Sequence, residues 1–435
     1  MTRHITQEKM KRLRKTISLI IISCFFCLFV PSVYALDKDL SLRELIDYAL
    51  KNSPEVLAAE ARTAASEFRI PQAKSLPDPM FMFGYQNEGW NKYTYGEMQG
   101  AQWMFSASQM FPYPGKLGLK GEMARQDAES QRAMISAVRH QVIAKVKVLY
   151  YDLFLAYKNI DLLRDRTVLF SRIEDAAVAR YASGTGMQQE VLMAQTEKYM
   201  LLEKEEMQKQ KIQSAEAMLN ATIGRGINAP IARPAELSQS FSRSVDELLG
   251  AAYQNSPEVK SKERMIAAAE AKVKMAQKEY YPDFTINAGY FKRAGEFEDM
   301  WSLTTTINIP LFYKTKQRQA VSEAEANLSV ARYELEATKL MISSGIRDNY
   351  AMYKSAEKLM ELYRSGLIPK TYQDFESAIA GYSSGKVESI TVINRLKTLI
   401  DLETSYWGQM VEREKAMAKS EAIAGIGASG AEAQK

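Results

Sequence analysis

The sequence predicts a mostly α chain with a small β part, in which very long coiled-coil helices join a few barrel-type strands in an internally duplicated chain. Three observations predict it. Apolar residues return every seven positions along a proline-free stretch from about Lys116 to Arg180. Three short segments alternate apolar or aromatic residues with small polar ones. A block close to the N-terminus recurs about 200 residues further on.

The chain opens with a segment to be set aside before anything is counted. Residues 1–16 carry Arg3, Lys9, Lys11, Arg12, Arg14 and Lys15 against Glu8, and an uncharged apolar run follows from Ile17 to Val30. Pro31-Ser-Val-Tyr-Ala35 then ends in a small residue. Basic region, short apolar core and small-residue site predict a secretory signal peptide over 1–35, too short in its apolar run to span a bilayer. Ile21-Ile22-Ser23-Cys24 is a competing lipid-attachment site, weakened because Phe25 to Val30 continue the apolar run past the cysteine.

Removing 1–35 takes six basic residues and one acidic one, so the formal charge falls from +5 to 5 − (6 − 1) = 0. No nucleic-acid partner follows from a neutral chain. Cys24, Cys27 and His4 leave too, so His140 remains with no cysteine. That inventory excludes disulfides, thiolate chemistry and His-cluster catalysis, and no catalytic, cofactor or metal site is expected.

The repeat sets the organisation. Ser41-Leu-Arg-Glu-Leu-Ile-Asp-Tyr-Ala-Leu-Lys-Asn-Ser-Pro-Glu-Val56 returns as Ser244-Val-Asp-Glu-Leu-Leu-Gly-Ala-Ala-Tyr-Gln-Asn-Ser-Pro-Glu-Val259. Each copy reads as a short helix, a stop at Asn-Ser, and Pro in the first turn of the next helix. Pro77-Asp78 matches Pro282-Asp283, and Tyr181-Ala-Ser-Gly184 matches Tyr382-Ser-Ser-Gly385. The expected units are 36–223 and 244–422, with a linker over 224–243 and a disordered tail over 423–435. Each unit runs helix, strand pair (78–112 and 282–310), very long helix, glycine turn, long helix.

The helices show their packing period. Val142, Leu149, Ala156, Leu163, Phe170 and Ala177 form one ladder, and Val146, Leu153 and Ile160 start another. Val321, Leu328, Leu335 and Ile342 do the same in the second unit. Sustained heptads specify left-handed coiled coils. A helix of this length is about 100 Å long.

In the strands, Trp103, Phe105, Ala107 and Phe111 oppose Gln102, Ser106 and Ser108. Phe284, Ile286, Ala288 and Tyr290 oppose Thr285, Asn287 and Gly289, and Trp301, Leu303 and Ile307 oppose Ser302, Thr304 and Thr306. Lipid against Trp103, Phe105, Phe111, Phe284, Ile286, Tyr290, Trp301, Leu303 and Ile307, with water on the other face, suits a transmembrane barrel; a soluble sheet on a core shows the same alternation. Four strands cannot close a barrel, so several copies must pool them. Met80 and Met82 share a face, as do Met104 and Met110. Thioethers bind Cu(I), but methionine is also an ordinary apolar filler.

The duplicated Asn-Ser-Pro-Glu-Val, the Leu76-Pro-Asp-Pro79 lead into the first strand, and Arg180-Tyr-Ala-Ser-Gly184 with Glu190-Val-Leu-Met-Ala-Gln195 resemble the TolC family of outer-membrane efflux proteins over nearly the whole mature chain. Leu-Pro-Asp-Pro is most similar to its heavy-metal branch. The resemblance implies a homotrimer in the outer membrane of a Gram-negative bacterium, with a twelve-stranded barrel and a periplasmic helical tunnel. It further implies a periplasmic adaptor and an inner-membrane pump of the RND type as partners, with metal ions or small toxic compounds as cargo. The helical turns at 181–190 and 382–391 become tunnel tips, holding Tyr181, Gly184, Glu190, Tyr382, Gly385, Glu388, Thr391 and Asn394. Tyr382 matches a gate tyrosine of the family. The family's acidic pore positions fall on neutral Thr391 and Asn394, with Glu388 or Glu190 as substitutes. Alternatives are the outer-membrane component of type I secretion, a periplasmic coiled-coil adaptor, and an enzyme pairing Asp78 with Glu88, whose Asp is otherwise turn chemistry.

Overall fold

The computed structural model describes residues 41–235 and 243–426. The expected signal peptide with Cys24, linker residues 236–242 and tail residues 427–435 lie outside the described residues. The fold is mostly helical with one small antiparallel sheet.

The chain begins with α1 (Leu42–Asn52) and α2 (Pro54–Lys74), followed by β1 (Met80–Gln86) and β2 (Gln102–Phe111). Next come α3 (Lys116–Ala182) and α4 (Gln188–Ile223). The same order returns as α5 (Val245–Asn255), α6 (Pro257–Lys278), β3 (Asp283–Lys292) and β4 (Met300–Asn308). It closes with α7 (Gln317–Leu362), one π-turn (Tyr363–Leu367), α8 (Ile368–Ser383) and α9 (Ser389–Ala424).

The repeated sequence block has a local physical meaning. Ser41 Oγ accepts from the Glu44 N–H at 3.3 Å while Glu44 accepts from the Ser41 N–H at 3.0 Å. Ser244 and Glu247 close the same reciprocal cap. Each satisfies two of the orphan donors at a helix start. Pro54 and Pro257 then occupy the first turn of α2 and α6, where a missing N–H costs nothing. Each corner also seats the end of its own unit's last helix. Gly224 ends α4 at φ +80°, and a Cβ there would stand 2.3 Å from the Asn52 carbonyl oxygen. Gly425 ends α9 at φ +68° against the Asn255 carbonyl. Helix α9 therefore runs past residue 423, where a disordered tail was expected, because Ile423 and Ile426 pack against the core around Leu248, Ile342 and Ile346.

The 67 residues of α3 make one unbroken helix, within two residues of the expected stretch. Val142, Ala156, Leu163, Phe170 and Ala177 of its first ladder and Val146, Leu153 and Ile160 of its second are buried. The counterpart in the second half departs from the expected single helix. Pro369 has no N–H for the Ser365 carbonyl, so the chain widens for one turn and the Ile368 N–H reaches the Tyr363 carbonyl five residues back.

Where strands meet helices, Lys116 is buried at the first turn of α3. Its Nζ donates to Asp283 Oδ1 at 2.8 Å, Glu279 Oε2 at 3.3 Å and the Tyr281 carbonyl at 3.1 Å. Asp283 also accepts from the Tyr113 N–H at 2.7 Å. Tyr113 and Tyr281 stack at 4.4 Å, with Lys278 Nζ over both rings. This knot ties the first unit to the second. Lys116→Met leaves a largely buried carboxylate without its cation, and urea unfolding of the solubilised protein is expected to show a loss of about 3 kcal/mol.

Candidate functional site

Two regions carry the candidate residues: the helical tip and the sheet. At the tip, α3 and α8 end in matching turns. Gly184 (φ +74°) and Gly385 (φ +76°) adopt the left-handed conformation just past each helix. The Thr185 N–H donates to the Arg180 carbonyl at 2.9 Å and the Lys386 N–H to the Gly381 carbonyl at 2.9 Å. Both are the six-residue closure of a glycine-ended helix. Gly186 meets a steric and not a conformational demand. Its φ is ordinary, but a Cβ there would stand 2.8 Å from Arg180 Cβ.

Tyr382 is fully buried although it lies within the last turn of α8. Its hydroxyl donates to Glu190 Oε2 in the first turn of α4 at 3.0 Å. Arg180 completes the cluster. Its guanidinium sits 5.0 Å from the centre of the Tyr382 ring, Nη1 donates to the Tyr382 carbonyl at 3.0 Å, and Nη2 donates to the Thr185 carbonyl at 3.1 Å. Nε lies 3.9 Å from Glu190 and makes no hydrogen bond. The two hairpins thus meet through one tyrosine, one carboxylate and one guanidinium. Below them Phe170, Ile173, Phe375, Val392 and Leu396 form a buried core shared by α3, α8 and α9.

The structure brings Tyr382, Gly385 and Glu190 together, the Gly385 N–H donating to the Tyr382 carbonyl at 2.9 Å, and leaves Tyr181, Glu388, Thr391 and Asn394 outside that contact. Tyr181 is half exposed, and Glu388 is exposed at the start of α9. Thr391 is half-buried, with its N–H donating to the Glu388 carbonyl, and Asn394 is exposed. Of the two substitute acids, Glu190 is engaged inside the protomer. Arg180 is the site residue the sequence reading passed over. Its signal was a basic side chain closing the last turn of a long helix, ten residues before an acid that opens the next.

Burial pushes the Tyr382 hydroxyl up to about 12, helped by the hydrogen bond to Glu190 and its negative charge. A raised folded value means this contribution is intact below the ordinary tyrosine value near pH 10 and is lost between about pH 10 and 12.

In the sheet the order is β1-β2-β3-β4, every neighbour antiparallel. Phe105 pairs with Tyr290, Phe111 with Phe284, Tyr290 with Trp301, and Phe284 with Ile307. Register therefore puts all nine strand candidates (Trp103, Phe105, Phe111, Phe284, Ile286, Tyr290, Trp301, Leu303 and Ile307) on one face. Phe81, Phe83 and Tyr85 of β1 join them, which the sequence left unassigned. Phe83 stacks on Trp103 at 5.2 Å and Phe111 on Phe284 at 5.9 Å. Trp301 is 80% and Leu303 65% exposed, so the described residues leave this apolar face uncovered. The opposite face carries Gln86, Gln102, Ser106, Ser108, Asn287, Ser302, Thr304 and Thr306. Among the described residues, no three His, Cys, Asp or Glu side chains gather as a metal site, and no helix is long and apolar enough to cross a membrane.

The family model for outer membrane efflux proteins matches residues 45–225 and 248–398. The chain belongs to that family. A relative is the cobalt-zinc-cadmium resistance protein CzcC of Cupriavidus metallidurans, 23% identical over 395 residues that cover 89% of this chain and 90% of CzcC. Two solved structures share the fold of this efflux-family chain. CusC superposes with a TM-score of 0.75 at 16% identity, covering 92% of this chain and 97% of CusC. The outer membrane protein VceC of Vibrio cholerae gives 0.74 at 19%, covering 89% and 96%.

Tyr382→Phe removes the side-chain bond to Glu190 and leaves the Arg180 bond to the residue 382 carbonyl in place. Hydrogen bonds to charged groups contribute about 1.5–3 kcal/mol, so urea unfolding of the solubilised protein is expected to show a loss of that size. Titrating the unsubstituted protein from pH 10 to 12 should reproduce the change, with no response from Tyr382 below pH 10.

Proposed function

We propose that this protein is the outer-membrane exit duct of a tripartite efflux system, passively conducting metal ions or small toxic compounds to the cell exterior. The observation that carries the reading is the sheet. Its β1 and β4 edges are unpaired, and its one apolar face is bare. Open strand edges are not tolerated in hydrocarbon, so each β4 must pair with the β1 of another copy. Three copies supply twelve strands, an even number of the kind outer-membrane barrels use.

The helices argue for the same partners. Leu192 and Tyr199 on α4, and Tyr333 and Leu340 on α7, sit seven residues apart and are exposed. Heptad-spaced apolar residues left bare are the seam of a coiled coil whose other strand is a second copy. We take the helices to continue the barrel as a tunnel in the periplasm. A periplasmic adaptor and an inner-membrane pump of the RND type dock near the tips at 181–190 and 382–391 and supply the energy. We take Tyr382, Glu190 and Arg180 to close the tip, and the exposed Glu388 and Asn394 to face the passage. The matched caps, corners and turns of the two halves support descent by duplication of one unit.

CzcC is a cobalt-zinc-cadmium resistance protein, and that likeness supports metal ions as cargo. We assign the chain no active site: the site residues hold structure and form a passage. The native mass of the detergent-solubilised protein tests the proposal. Three protomers are expected. A monomer stable without detergent would leave the apolar sheet face unexplained and would return the chain to the adaptor reading.

A further inference from the structure

We propose that the polar face of the sheet is a thioether binding surface for soft monovalent cations such as Ag(I) or Cu(I). This rests on the reading above, which turns that face toward the lumen. All five methionines in the four strands fall on it. Met80 pairs with Ser108, Met82 with Ser106, Met104 with Gly84, Met110 with Thr285, and Met300 with Phe291. None lies on the face with Trp103, Phe105, Ile286 and Leu303. An apolar filler belongs on the lipid side as readily as those residues do. Methionine is instead confined to the face of serines, threonines and asparagines, where burial rewards it least.

The methionines also sit near one another. Met80 and Met110 are diagonal neighbours across β1 and β2, and so are Met82 and Met104. Diagonal positions lie within reach of long side chains. Met80 and Met82 are 67% and 55% exposed, with their thioethers open to solvent. Met104 Cε lies 3.4 Å from the point where a Cβ on Gly84 would stand. The bare glycine lets the Met104 thioether lie across β1 next to Met82.

The chemistry of the donor set points to the class of ion this surface binds. Thioether sulfur is soft and selects Cu(I)-like ions; carboxylate and imidazole would be needed for harder divalent ions. The one carboxylate on this face among the described strand residues, Asp283, is held by Lys116 at its lower end. The pairs form a shallow track along β1 and β2, weak enough at each step for an ion to leave. No covalent or redox step is involved.

The test uses the detergent-solubilised trimer and Ag(I) alone as probe, in chloride-free buffer. Equilibrium dialysis should find silver on the unsubstituted protein and at least a fivefold loss for M80L/M82L/M104L/M110L, which conserves side-chain volume. Zn(II) and Co(II) should bind neither form. Peroxide oxidation, read at each methionine by mass spectrometry, should slow at least threefold at Met80 and Met82 when silver is present. Equal silver on both proteins, or an oxidation rate indifferent to silver, overturns the proposal. Planar-bilayer conductance on the same samples separates the two readings. Pores without silver binding reject the thioether surface alone, whereas the absence of pores rejects the channel reading.

Discussion

The constraint on which the rest of the structure depends is that backbone N–H and C=O groups in hydrocarbon must all be paired. One protomer offers four strands with a free edge on each side. An unsatisfied backbone group costs several kcal/mol in lipid, so an edge of seven to nine residues is a larger penalty than a domain's whole stability. Among the described residues no proline lies within β1 or β4 to blunt these edges. On the proposed reading they are kept open for another copy. The same reading accounts for the bare apolar face, which lipid and not a second layer of protein would cover.

Joining such a sheet to long helices raises a different difficulty, because two hairpins that share no sequence continuity must leave the sheet in step. The Lys116 knot handles it with charge in a confined place. One ammonium gathers a carboxylate of β3, a carboxylate at the end of α6 and a carbonyl, while Tyr113 and Tyr281 stack beside it. Midway along α3 and α7 the Asn-Ser-Pro corners receive Gly224 and Gly425 by direct backbone contact. The helices are further held by ladders such as Val146 and Leu153, and nearer the tip by cross-hairpin pairs such as Lys397 with Glu197.

Much of this was legible from residues alone, and the reason is periodicity. A seven-residue recurrence over α3 leaves one packing solution, and the two-residue recurrence in β2, β3 and β4 assigns each side chain to a face. Strand β1 was not legible in that way, because Met80-Phe-Met-Phe is apolar on both faces. Only its pairing with β2 sorts phenylalanine from methionine. Arg180 was missed for a related reason. Its partners Tyr382 and Glu190 come from other helices, and no local pattern announces a contact made across 202 residues. The π-turn followed from Pro369, which a heptad count passes over because proline can keep the apolar register while it removes an N–H.

The two hairpins are therefore not mechanically equal, although their sequences run in parallel. Helix α3 is continuous through all 67 residues. The α7–α8 arm is interrupted about 15 residues before its tip, at a turn where Pro369 has removed a rung and Gly366 adds no side chain to stiffen it. A bending load on the pair falls first on the arm with the missing hydrogen bond, since a π-turn is the recognised soft point of a helix. Tyr382 sits at the free end of that softer arm, and Glu190 and Arg180 belong to the stiffer one. The tether thus spans the two parts of the tip that differ most in stiffness. That is where a single hydrogen bond and one cation over a ring have the greatest leverage on how far the two hairpin ends can part.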